Sequence, residues 1–130
     1  MAGSDDAPWP TDIKVDRKEK TLTIVFNNGE SFCLTAELLR VESPSAEVQG
    51  HGPSQKVTVA GRRHVGIMDV EPVGNYAIRI KFDDLHDTGI YSFAYLHHLG
   101  KNQDRAWQAY LDALEDQNLS RNPPPQAAAP

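Results

Sequence analysis

Apolar and polar residues alternate through the first third of the chain. In IKVDRKEKTLTIVFNNGESFCLT, Ile13 and Val15 alternate with polar neighbours, and Leu22, Ile24 and Phe26 alternate with Thr21, Thr23 and Val25. A period of two puts one set of side chains against a core and the other toward water. The stretch therefore reads as strand, turn, strand, turn, strand. Asn28-Gly29 is expected to close a two-residue hairpin in which both residues take positive φ, and Phe32 and Leu34 share a face on the return strand. TAELLRVE follows as one or two helical turns, with Thr35 as N-cap.

Further along, KVTV from Lys56 predicts a short strand, and HVGIMDVEPVGNYAIRIKF predicts a second hairpin turning at Val73-Gly74-Asn75. Tyr76, Ile78, Ile80 and Phe82 alternate strictly with Ala77, Arg79 and Lys81, which gives that hairpin one buried face. Ser92 can cap a short helix, SFAYLHHL, with Gly100 ending it as the C′ residue. Over 102–118, Trp107, Tyr110, Leu111 and Leu114 fall at i, i+3, i+4 and i+7, the stripe of an amphipathic helix that can pack on the domain or reach a second copy. The expected class is α+β: a mainly antiparallel sheet of two hairpins, short helices and a C-terminal amphipathic helix. Residues 1–11 read as a flexible arm and 12–119 as one domain. Residues 120–130, with NPPPQAAAP, read as a disordered tail, because three prolines cannot continue a helix.

Composition narrows the partners. The chain has 130 residues, enough for one domain with a real core. Its net charge of −5 argues against an electrostatic grip on nucleic acid or anionic lipid. No apolar run approaches the roughly 20 residues that span a bilayer, and MAGSDDAPWP has no basic segment followed by an apolar one, so no signal peptide is expected. Cys33 is the single cysteine, which excludes an intramolecular disulfide and suits a reducing cytoplasm.

Candidate chemistry is sparse. DDLHD at 83–87 brings three carboxylates and one imidazole together, a possible divalent-metal cluster, although aspartates are also ordinary turn formers. His97 and His98 are helix neighbours about 100° apart, so one is expected to pack and the other to be wet. Cys33 sits inside a strand with no partner to lower its pKa and reads as a core or edge residue. No phosphate loop, paired-cysteine metal motif or nucleophile elbow occurs. The least ordinary stretch is SPSAEVQGHGPSQ at 43–55, with little to bury. Gly50 and Gly52 flank His51, and Ser43, Ser45, Glu47, Gln49 and His51 offer donors and acceptors. It reads either as a binding loop or as a surface loop shaped by its glycines and prolines.

LRVESPSAEVQGHGPSQ and GIMDVEPVGNYAIRIKFDDLHDTGIYSFAYLHHLG together resemble the DUF971 family, also called gamma-butyrobetaine hydroxylase-like N-terminal domains, from about Ile13 to Gly100. The resemblance implies a domain that, in carnitine-pathway oxygenases, precedes a separate catalytic domain and carries a structural zinc. Its ligands are a Cys-x-Cys-x-x-Cys run after a Leu-Arg pair and a later histidine. Here Leu39-Arg40 matches the pair, the cysteine places fall on Ser43, Ser45 and Val48, and the histidine place falls near His86 with a one-residue shift. A valine cannot ligate, and serine competes badly with thiolate for zinc, so the implied zinc site is expected to be degenerate. No counterpart of the oxygenase catalytic domain is expected. Similar domains are also attached to P-loop ATPases of iron–sulfur cluster assembly, or stand free.

The resulting expectation is a non-catalytic, cytoplasmic interaction or accessory module with a protein partner and no cofactor. Its surface would comprise Ser43, Ser45, Glu47, Gln49 and His51 with His86 and Tyr91. Two alternatives stand beside it. One is a zinc- or iron-binding, iron–sulfur accessory protein using His51, His86 and Asp84. The other is a small enzyme with an acid–base pair such as His86 and Asp84.

Overall fold

A computed structural model of the chain describes residues 8–50 and 52–123. The alternating residues pair as their period requires. Strands β1 (Pro10–Asp16), β2 (Thr21–Phe26) and β3 (Ser31–Thr35) form an antiparallel sheet in that order. Val15, Leu22 and Leu34 lie in register across it, as do Ile13, Ile24 and Phe32. The β2–β3 turn differs from expectation. Phe26 N donates to Glu30 O, so three residues are enclosed, and only Gly29, at φ +88°, takes positive φ. The extra residue leaves Asn28 free to hydrogen-bond Glu30 through its side chain. Asn27 N also donates to Trp9 O, which ties residues placed in the arm to the sheet that begins at Pro10.

Helix α1 (Ala36–Val41) follows, and Thr35 caps it by accepting from Leu38 N. A single helical turn, α2 (Ala46–Gln49), and a 3₁₀ turn (Pro53–Gln55) lead into residues 56–66, which belong to no sheet. The expected strand at KVTV is therefore absent. Val57 N is taken by Val48 O, and Val59 O by the Tyr110 hydroxyl, so tertiary partners occupy the groups a ladder would need.

The second sheet is β4 (Ile67–Val73), β5 (Ala77–Phe82) and β6 (Ile90–Ser92), again antiparallel and in chain order. Ile78, Ile80 and Phe82 are buried as predicted, but Tyr76 is 57% exposed because it lies in the turn and the strand begins at Ala77. The short β6, unmarked by any run of alternation, pairs Tyr91 with Ile78. Helix α3 (Phe93–Lys101) is capped by Ser92, whose hydroxyl accepts from Tyr95 N. It passes through Gly100 and ends at Asn102. Gly100 is therefore not a terminator. A Cβ there would stand 2.4 Å from the Phe32 ring, so the glycine lets the helix lie close against β3. Helix α4 (Gln103–Asp116) completes the fold, and its stripe packs on the domain: Tyr110 and Leu114 are buried with Val41, and Trp107 touches both this cluster and the main core.

The fold is α+β, as expected. Leu22, Ile24 and Phe26 of the first sheet share one core with Ile80, Phe82 and Tyr91 of the second, sealed by Leu38, Leu39, Leu96 and Leu99 from α1 and α3. Past α4, Ser120 O accepts from Gly61 N and Arg121 O from Arg63 N, while the Arg121 guanidinium pairs with the buried Glu37 carboxylate at 2.7–2.8 Å. Residues 120–122, assigned to the tail by composition, are thus fastened to the domain by an ion pair that composition does not reveal.

Gly100→Ala is expected to destabilise the protein by about 1–3 kcal/mol, since the added methyl drives the Phe32 ring off its site. Urea unfolding measures this, and an unchanged midpoint would mean that the α3–β3 contact is not tight.

Candidate functional site

The 43–49 stretch folds inward. Ser45 stands at the N-cap of α2, yet its hydroxyl does not cap the helix. It points to Ser43 Oγ at 3.2 Å and to His86 Nε2 at 3.4 Å. Ser43 Oγ lies 2.9 Å from His86 Nε2 and accepts from Ser45 N. Ser43, Ser45, His86 and Val48 are all buried. Two glycines make room for this. A Cβ on Gly89 would fall 2.5 Å from Ser43 Oγ, and one on Gly50, at φ +65°, would collide with Gln55 O at 2.6 Å. Gln49 Nε2 donates to Ser43 O and closes the loop on itself.

His86 is delivered by the β5–β6 turn, whose shape is fixed by Asp84. Asp84 Oδ1 accepts from His86 N, and Oδ2 lies 2.7 Å from both Arg40 Nε of α1 and Arg62 Nε. Only the Arg40 contact has hydrogen-bond geometry, so Arg62 contributes mainly charge. Leu85 consequently sits at φ +73°, a conformation bulky residues avoid. The Arg40 hydrogen bond and both cations hold the Asp84 carboxyl below its usual range despite its burial. Loss of water around His86 pushes its imidazole below the ordinary range. Arg40 adds to this, and Glu47, Asp84 and Asp87 oppose it. Glu47 Oε2 lies 3.8 Å from His86 Nδ1, and its other oxygen accepts from Thr88 Oγ1. Ser43 Oγ and His86 Nε2 share one hydrogen, and which of them donates is set by the ring's tautomer.

The order serine, imidazole, carboxylate is that of a nucleophile relay. The geometry here stops short of one. Ser43 has no solvent exposure, and 3.8 Å is beyond hydrogen-bonding distance for the last link. The acid–base pair suggested for His86 and Asp84 does not form, because Asp84 meets the main-chain N–H of His86 and commits its other oxygen to arginine. The DDLHD carboxylates diverge: Asp83 accepts from Gly66 N, Asp84 turns to the arginines, and Asp87 is exposed. Among the described residues, no three His, Cys, Asp or Glu side chains gather as metal ligands.

The residues expected to form one surface are therefore divided. Glu47 and Gln49 reach solvent, whereas Ser43, Ser45 and His86 are buried, and Tyr91 is fully enclosed with its hydroxyl donating to Leu39 O. His51 lies outside the described residues. His97 packs edge-on against Phe26 and Phe32 and contacts Glu30 at 2.6 Å, while His98 is exposed beside Asn102. Cys33 lies exposed on the outer side of β3. Sequence reasoning missed Arg62 and Gly89 as parts of the cluster, and marked Arg40 only as half of the Leu39-Arg40 pair. Each acts here through a partner more than 20 positions away, which no local signal discloses.

Residues 13–97 match the family described as gamma-butyrobetaine hydroxylase-like, N-terminal. The chain belongs to this family. Two proteins with NMR solution structures resemble this family member closely. One is 45% identical over 100% of this chain and 97% of its own; the other is 41% identical over 95% and 98%. Each has a TM-score of 0.79. A crystal structure of a protein of unknown function in the DUF971 family, from Acidithiobacillus ferrooxidans ATCC 23270, is 33% identical over 72% of this chain and 92% of its own, with a TM-score of 0.58. No curated protein matches. Within this DUF971 domain, the Leu39-Arg40 pair does two visible things. Leu39 enters the core and its carbonyl receives the Tyr91 hydroxyl, while Arg40 anchors the Asp84 turn.

Because the folded-state pKa of His86 is depressed, its contribution to stability is complete above the unfolded value of about 6.5 and is lost as pH falls below it. Unfolding at pH 7 and pH 5 should show wild type losing more stability on acidification than His86→Gln. An NMR titration placing His86 above about 6.5 would contradict this.

Proposed function

We propose that this protein is a non-catalytic, cytoplasmic accessory module that works by contact, and that the Ser43–Ser45–His86 hydrogen bonds replace the metal which the family resemblance implies at these positions. The supporting observation is the convergence itself. Residues 43 and 45 meet His86 from 43 and 41 positions away, through hydroxyls rather than sulfurs. This donor set does not fit zinc: two neutral hydroxyls and one imidazole lack the thiolates a structural site requires, and Val48 offers no donor at all. The imidazole nitrogen that could ligate is already engaged by Ser43. A contact role also agrees with a site in which the serine and imidazole groups are turned inward. Among the described residues no helix is long and apolar enough to cross a membrane.

Two preparations test the reading. Untagged wild type should carry less than about a tenth of an equivalent of zinc or iron by elemental analysis. The triple variant Ser43→Cys, Ser45→Cys, Val48→Cys should take up about one zinc and melt higher with it, since metal affinity becomes folding free energy. A stoichiometric metal in wild type would overturn the proposal in favour of the metal-binding alternative.

A further inference from the structure

Residues 56–59 have the alternation of a strand but join no sheet. Their main chain is half used: residues 57 and 59 are bonded to Val48 and Tyr110, whereas no group in the described fold meets the main-chain N–H and C=O of Lys56 and Thr58. Val57 leaves 49% of its surface in water. Beside this segment runs a trough against α4. One part, about 250 Å³, is lined by Val41, Val57, Val59, Ala109, Tyr110 and Ala113, together with Lys56 and Thr58. An adjoining recess of about 300 Å³ shares Glu42, Lys56 and Ala109 with it and adds His98, Arg105 and Ala106. Helix α4 places Ala106, Ala109 and Ala113 toward the trough. Longer side chains at those positions would fill it, so its depth is written into the helix.

The charge of the trough runs against that of the molecule. The chain as a whole carries −5. In the recess, Glu42 pairs with Lys56, both of its oxygens lying 2.8 Å from Nζ, which leaves Arg105 as the charged side chain of the lining that no other lining group balances. An unbalanced arginine beside an apolar floor, in an acidic protein, favours an acidic partner there, and the overall charge disfavours a second copy of the chain.

We propose that this trough docks an extended peptide segment of another protein. Aliphatic side chains would rest on Val57, Val59, Ala109 and Ala113, an acidic side chain would reach Arg105, and the segment's backbone would meet the open main-chain groups of Lys56 and Thr58. The inference rests on the accessory-module reading and names the surface that reading lacked.

A random dodecapeptide display library selected on the full chain tests it. Enriched peptides should combine acidic and aliphatic residues. A synthetic winner should bind Ala109→Leu, which fills the floor, and Arg105→Glu, which reverses the charge, at least about tenfold more weakly. Lys14→Glu, on β1, should bind as wild type does. Circular dichroism and melting of the variants separate lost binding from lost fold. No enrichment, winners without acidic residues, or winners indifferent to both trough variants would overturn the proposal. So would a concentration-dependent dimer that Ala109→Leu dissociates, since the occupant would then be a second copy. A failed selection leaves the metal-free reading standing, and stoichiometric metal in wild type ends that reading without touching the trough.

Discussion

The hydrogen bond between Ser43 Oγ and His86 Nε2 is the buried link between two loops that Thr88 and Glu47 also join at the surface. Both partners are removed from water, so each must satisfy the other; leaving either unpaired would cost about 1–3 kcal/mol. Around it the constraints nest. Ser45 turns from capping α2 to join the pair, Gly89 withholds a side chain to admit Ser43, and Asp84 shapes the turn that presents His86. Asp84 is in turn tied to Arg40 on α1, close in the chain to Ser43 itself. The cluster closes a ring of contacts from α1 through the 43–49 loop to the β5–β6 turn and back.

This ring explains how an α+β domain of two small sheets holds its irregular half in place. The sheets and α1 and α3 bury a continuous apolar core, but the segment between α1 and β4 has little to bury. Polar contacts do its positioning instead: Gln49 to Ser43, Val57 to Val48, Tyr110 to Val59, and the 120–122 segment to Gly61 and Arg63. In the proposed reading, hydroxyl and imidazole groups take over what thiolates and a metal do in the oxygenases that the domain resembles. A hydrogen-bonded cluster needs no ion and is indifferent to chelation, though its histidine makes it sensitive to acid.

The same economy leaves surface free. A segment held by one edge alone, lying over a helix face of small residues, has main chain and apolar area to offer. The proposed peptide trough is thus a consequence of how the irregular half is fastened: strands that had paired fully would have left no main chain open.

Where local pattern carries the information, the sequence decided the outcome. Period-two alternation at Leu22, Ile24 and Phe26 and at Ile78, Ile80 and Phe82 determined the two hairpins and their buried faces, and Thr35 and Ser92 determined where helices start, because such effects act within a few residues. Tertiary structure alone decided that Ser43, Ser45 and His86 face inward rather than out, that Gly100 serves packing rather than termination, that 56–59 forgoes a sheet, and that Arg121 fastens the chain to Glu37. Each of these depends on a group far away in sequence, and a residue's environment is set by which distant atoms exclude water from it.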